Sequence, residues 1–254
     1  MNSLTIRNVT IGDGIPKICV PVTGSTDSEV LENTAFALHS RCDLIEWRAD
    51  HYDKVYDTQA TLQLLSQIRK MAQDIPVIFT FRTAAEGGRR KFPIDNYANL
   101  NRSVMESKLA DVCDLELYTC GGFLDVMTAY ARNFGVYTIV SNHDFHKTPS
   151  AKELIKRFET METRGCDMAK IAVMPQTKKD VLTLLEASIA AHEKLSCPIV
   201  SMSMGNLGSV TRICGEFSGS CMTFGTAKTA SAPGQINANK LAELLELFHD
   251  NFAQ

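Results

Sequence analysis

No Cys-x-x-Cys pair occurs among the eight cysteines of this 254-residue chain. Without that spacing, a zinc ribbon is not expected. Several of the cysteines sit inside apolar runs, as small core residues do. No apolar run approaches the ~20 residues that a membrane span needs. The opening residues, MNSLTIRNVTIGDG, lack a basic stretch followed by an apolar one. No signal peptide is therefore expected, and the thiols are expected to stay free in a reducing cytoplasm. There is no block of like charge, no low-complexity segment and no linker, so residues 1–254 are expected to form one domain. The net charge of −3 and a pI of about 6.1 give no electrostatic case for nucleic acid or an anionic membrane.

What is present is an alternation. Short apolar runs rich in β-formers cover residues 17–22, 43–48, 76–81, 112–118, 136–141, 168–174, 198–202 and 221–226. Near-continuous hydrophobicity fits strands of a parallel sheet covered on both faces. Helical patterns lie between them. Thr177-x-x-Asp180 reads as a capping box, with Val181, Leu184, Leu185, Ser188 and Ile189 on one face behind it. Thr148-Pro149 reads as a cap followed by proline at the first helical position, and Gly165 as the stop of that helix. Residues 95–110, 123–133 and 235–248 read similarly. Eight strand–helix repeats over this length predict a (β/α)8 TIM barrel, an α/β fold. An open doubly wound sheet is the structural alternative. Residues 3–10 are read as an extra hairpin strand closing the barrel floor.

In a barrel, reactive groups collect at the C-terminal ends of the strands. Here charge recurs at those positions. Glu46 and Arg48 share a strand face by the period of two, as do Asp114 and Glu116. Arg82 ends the third strand and leads to Glu86, while the fifth ends Ser141-Asn142-His143-Asp144-Phe145-His146. Lys170 sits inside the sixth, and Arg212 follows the seventh. Taken one at a time, each reads as an interior salt bridge or a solvated strand end. Unpaired interior charges cost several kcal/mol each, so a folded barrel must pair them. The set therefore reads as a pocket of two or three carboxylates, three arginines, a histidine and a lysine. A metal held by His143 and His146 is not expected, because a strand would point them apart.

Lys170 lies in Met168-Ala169-Lys170-Ile171-Ala172-Val173-Met174, which otherwise reads as a buried strand. An ammonium there must be paired or lose its proton. The bland reading turns the side chain outward between helices. The chemical reading makes it a neutral amine that attacks a ketone. The resulting iminium is an electron sink and acidifies the neighbouring C–H. His143 suits the role of base, with Glu86 orienting its ring. The enamine then expels a β leaving group such as water. Arg212 suits a substrate carboxylate, and Glu46, Arg48 and Arg82 suit its hydroxyls.

The run from Ser141 to Pro149, Lys170-Ile171-Ala172-Val173-Met174-Pro175, Phe79-Thr80-Phe81-Arg82 with Glu86-Gly87-Gly88, and Ser231-Ala232-Pro233-Gly234-Gln235 closely resemble type I 3-dehydroquinate dehydratases. The likeness runs from residue 17 to the C-terminal helix. It implies a (β/α)8 barrel, usually a homodimer, that converts 3-dehydroquinate to 3-dehydroshikimate through a lysine Schiff base. It implies no metal and no other cofactor. The reaction is the third step of the shikimate pathway to aromatic amino acids. Position by position, it assigns Lys170 as the Schiff-base lysine, His143 as the general acid/base and Glu86 as its assisting carboxylate. Glu46, Arg48 and Arg82 lie near the substrate hydroxyls, and Arg212 binds the carboxylate. Ser231 and Gln235 belong to a closing loop, while Phe145, Met202 and Phe224 form the apolar lining. One position departs: Pro21 stands where close relatives carry a substrate-contacting serine. The competing readings are a class I aldolase-type barrel and a non-catalytic barrel that binds an anion.

Overall fold

The structure is a computed structural model and describes residues 3–228 and 234–252. A hairpin comes first, with β1 (Leu4–Ile6) antiparallel to β2 (Val9–Ile11). Eight parallel strands follow: β3 (Lys17–Val22), β4 (Leu44–Arg48), β5 (Val77–Thr80), β6 (Val112–Glu116), β7 (Tyr137–Asp144), β8 (Met168–Val173), β9 (Ile199–Ser203) and β10 (Met222–Thr226). From β3 to β9 each pairs with the next in order, and β10 pairs with β3. The seam between β9 and β10 closes just before β10, where Cys221 N–H donates to the Ile199 carbonyl at 2.8 Å. A two-residue strand, β11 (Ile236–Asn237), lies along the outer edge of β10.

The helices are α1 (Asp27–Leu38), α2 (Thr58–Ala72), α3 (Ile94–Ser107), α4 (Leu117–Cys120), α5 (Leu124–Asn133), α6 (Ala151–Thr163), α7 (Lys178–Lys194), α8 (Gly215–Ser218) and α9 (Ala238–Phe252). Local chemistry sets several of their ends. Thr177 and Asp180 make the expected reciprocal capping box at the start of α7. Gly165, at φ +79°, follows the end of α6. The start of α6 differs from expectation. Ser150, not Thr148, is the cap, and its hydroxyl accepts the Glu153 N–H at 3.3 Å. Pro149 therefore precedes the helix. The last helix also starts later than expected, at Ala238, because Ile236 and Asn237 pair with β10 and keep Gln235 out of it.

Alternation along the strands makes two apolar layers. Outward residues such as Val20, Trp47, Phe79, Leu115, Val140 and Ile171 pack under the helices. Inward residues at the strand starts, Cys19, Leu44, Ile78, Val112, Ile139, Met168, Val200 and Met222, fill the barrel bottom together with Ile6 and Ile11 of the hairpin. Both hairpin isoleucines are buried, a gain of roughly 1.5–3 kcal/mol each. Asp111 pins the hairpin by pairing with Arg7 at 2.6 Å and with Arg69 at 2.7 Å. The floor is thus plugged, and the opposite end is left for chemistry.

Candidate active site

Two residues further along five of the eight inward faces, the side chains change from apolar to polar. Leu44 gives way to Glu46, Ile78 to Thr80, Val112 to Asp114, Ile139 to Ser141 and Met168 to Lys170. Another two residues bring Arg48, Arg82, Glu116 and His143. All of these second- and third-level groups are buried or largely so.

Lys170 points inward. Its Nζ lies 3.4 Å from Glu46 Oε1, 3.5 Å from Asp114 Oδ2 and 4.3 Å from the centre of the Phe224 ring. The amine is therefore held among two carboxylates and an aromatic face. Thr80 Oγ1 donates to the same Glu46 oxygen at 2.9 Å, which fixes that carboxylate. Asp114 also takes Arg82 at 2.8 Å and the Ser141 hydroxyl at 2.6 Å. Burial pushes the Asp114 carboxyl up, but Arg82, Lys170 and these hydrogen bonds outweigh it and hold it below its ordinary value. Arg82 is further bound by Glu116 at 3.0 Å and by Ser141 Oγ at 2.9 Å. Arg48 grips Asp50 with two N–H groups, at 2.8 and 3.0 Å.

His143 lies within β7, which runs three residues past its expected end at 141 and carries the ring over the pocket. Ser141 is level with Lys170, and His143 with Ala172, on the adjacent strand. Glu86, in the short turn Ala84–Glu86, faces the imidazole with Oε2 at 2.9 Å from Nδ1. The same oxygen accepts the His143 backbone N–H at 2.9 Å, while Oε1 accepts from Asn142 Nδ2 at 3.1 Å. Burial pushes the Glu86 carboxyl up to about 8, against the pull of Arg82. Burial, with Arg82, Lys170 and Arg48 nearby, holds the imidazole well below its usual value. A neutral ring is the result. When Glu86 is ionised it accepts Nδ1–H, and Nε2 is left able to take a proton. His146 is not on the strand. It lies exposed in the turn beyond, its N–H on Asp144 Oδ1 at 3.0 Å.

One cavity of about 90 Å³ collects Glu46, Arg48, Arg82, Glu86, His143, Phe145, Lys170, Met202, Arg212, Phe224 and Gln235. Every site residue expected from the sequence is there except Ser231, which lies outside the described residues. Pro21 forms part of the wall. Arg212 is buried, donates to the Phe224 carbonyl at 3.3 Å and is lowered by burial to about 10, which leaves it cationic at neutral pH. Gly87, at φ +83°, lets the Phe145 ring close over it; a Cβ there would stand 2.2 Å from that ring. Among the described residues, no group of three or more His, Cys, Asp or Glu side chains is arranged to hold a metal.

The model of the type I 3-dehydroquinase family matches residues 18–252. The chain belongs to the type I 3-dehydroquinase family. It is thereby an enzyme, a hydro-lyase. It is 44% identical over 247 residues to the 3-dehydroquinate dehydratase of Bacillus licheniformis, covering 97% of each. It is 42% identical over 250 residues to that of Salmonella typhimurium, covering 98% of this chain and 99% of the relative. The type I enzyme of Clostridium difficile, solved with covalently modified comenic acid, superposes at a TM-score of 0.95. The identity there is 40%, with 98% of each chain covered.

Several groups at the site carry no strong sequence signal of their own. Asp50 continues the period of two that links Glu46 and Arg48. Asp114 and Glu116 stand out as charges on one face, but nothing local says that they clamp Arg82. Asn142 and Arg157 are visible only in three dimensions.

Proposed function

We propose that this chain dehydrates 3-dehydroquinate to 3-dehydroshikimate through an iminium on Lys170, as the third step of the shikimate pathway. The observation that carries the reading is Lys170 Nζ at the bottom of a polar pocket, on the strand next to the one that presents the Glu86-held imidazole. The amine, as its neutral form, adds to the substrate ketone. The carbinolamine loses water to give the iminium. His143 takes the proton from the carbon beside it, and the electron pair forms an enamine. The enamine expels the β hydroxyl, which leaves as water with the proton from His143. A water molecule then hydrolyses the conjugated iminium, freeing the enone and the amine. One water is consumed and two are released, so the net change is loss of one.

Arg212 pairs with the substrate carboxylate, and Glu46, Arg48 and Arg82 meet its hydroxyls. Phe145, Met202 and Phe224 exclude solvent, with Gln235 in the pocket wall beside them. The covalently modified ligand in the Clostridium difficile relative supports covalent chemistry in a site of this family. The same reading makes the protein a single-domain homodimer of the cytoplasm. Among the described residues no helix is long and apolar enough to cross a membrane.

The test is to incubate the protein with 3-dehydroquinate and follow the conjugated enone in the ultraviolet. Borohydride is then added, and the modified peptide is found by mass. Enone formation with reduction at Lys170 is expected. Turnover with no borohydride-trapped mass would refute the Schiff base. No turnover would refute the dehydratase.

A further inference from the structure

Behind the catalytic carboxylate lies a side-chain chain that the mechanism above does not use. Arg157, on α6, reaches the pocket wall from outside the barrel. Its Nη1 donates to Asn142 Oδ1 at 2.7 Å, and its Nε is tethered to Glu153 at 3.0 Å. The guanidinium also lies over the Tyr118 ring, 5.6 Å from its centre. Asn142 is buried, and its other amide end, Nδ2, donates to Glu86 Oε1 at 3.1 Å.

A side-chain amide has one accepting and one donating end, and nothing in its shape chooses between the two orientations. Arginine removes the choice, because it can only donate. With Oδ1 drawn to Arg157, the NH2 must face Glu86. We propose that Arg157 is a positioning residue: it sets the polarity of the Asn142 amide, and through it keeps Glu86 an acceptor for the His143 ring. The inference rests on the reading of His143 as the base.

Glu86 is faced from each element around it. Arg82, at 3.7 Å, and the Asn142 amide favour its carboxylate, while Asp114 and Glu116 on β6 oppose it. His143 on β7 takes the remaining contact, at 2.9 Å. With Asn142 free to turn, its carbonyl oxygen would meet the carboxylate instead. Protonated Glu86 would then be favoured, because its O–H can donate to that carbonyl, and the ring would lose the anionic acceptor that holds Nδ1–H and makes Nε2 basic.

The test compares kcat against pH in the wild type, Arg157→Met and Asn142→Asp. In Arg157→Met the midpoint of the alkaline-rising limb should move up by about 0.5–1 pH unit, with KM within about twofold and an unchanged melting temperature. In Asn142→Asp, where Arg157 pairs with the new carboxylate, the midpoint should move up by more than about one unit. A folded Arg157→Met or Asn142→Asp with the wild-type midpoint overturns the proposal. A third readout needs no variant. The Asn142 side-chain amide resonances of the wild type should titrate with the carboxyl of Glu86, and pH-independent resonances would overturn the relay. If the wild type does not turn over 3-dehydroquinate, the functional reading falls, while this titration still decides the hydrogen-bond polarity.

Discussion

The sharpest consequence of the site is a pH dependence set by a buried carboxyl. Glu86 is pushed from its ordinary 4.5 up to about 8, and the imidazole it faces is held low. The two titrate as a pair. Below the midpoint the carboxyl donates to Nδ1 and the ring cannot accept at Nε2. Above it the carboxylate accepts Nδ1–H and the base is ready. Activity should therefore rise tenfold per pH unit until the pair loses its proton. Even a midpoint as low as about 6 leaves roughly one tenth of the plateau rate at about pH 5. Steady-state kcat followed by enone absorbance between about pH 5 and 9 measures this. Glu86→Gln removes the titrating group and should give a lower, flat limb. Stability moves the opposite way. The folded state holds a proton on Glu86 that the unfolded state loses above about 4.5, so this contribution to stability falls as pH rises toward about 8. His143 has the contrary slope, losing stability as pH drops below about 6.5, where only the unfolded ring takes up a proton. Above about 6.5 only the Glu86 slope remains. There the Glu86→Gln variant should gain on the wild type with rising pH, by at most roughly 2 kcal/mol between about pH 6.5 and 8. A wild-type rate that is flat down to about pH 5, with parallel melting curves for the two proteins, would refute the reasoning.

Lys170→Ala should abolish turnover yet still bind substrate, since Arg212 and the pocket walls remain; calorimetric titration and a rate assay check both halves. His143→Ala should slow proton removal and iminium hydrolysis, so that an adduct accumulates on Lys170 and is visible by intact mass under substrate. Asp114→Ala leaves Arg82 and Lys170 without a carboxylate that both of them touch. It should cost about 3–5 kcal/mol in urea unfolding, more than a surface pair could.

Much of this architecture was legible in the residues. Eight apolar runs correspond to the eight barrel strands, and the period of two puts Leu44, Glu46 and Arg48 on one face because a strand leaves no other choice. The Thr177–Asp180 box and the stop at Gly165 are equally local. Where neighbours compete, local reasoning is weaker. Ser150 outcompetes Thr148 as a cap because its hydroxyl reaches the Glu153 N–H. Asn237 is drawn into pairing with β10, which no helical periodicity foretells. Likewise β7 continues to Asp144, past the apolar run that ends at 141, because β8 pairs with it that far.

The sequence by itself determined that charge would sit inside a barrel and that Lys170 would need a partner or lose its proton, because alternation and the cost of burial are local facts. Only the tertiary structure decided who those partners are. Glu46 is 124 residues from Lys170 along the chain, Asp114 is 56 away, and Arg157 reaches from α6 to Asn142 on β7. Those pairings follow from closure of the sheet, which brings distant strand ends to one centre where each charge must find its complement.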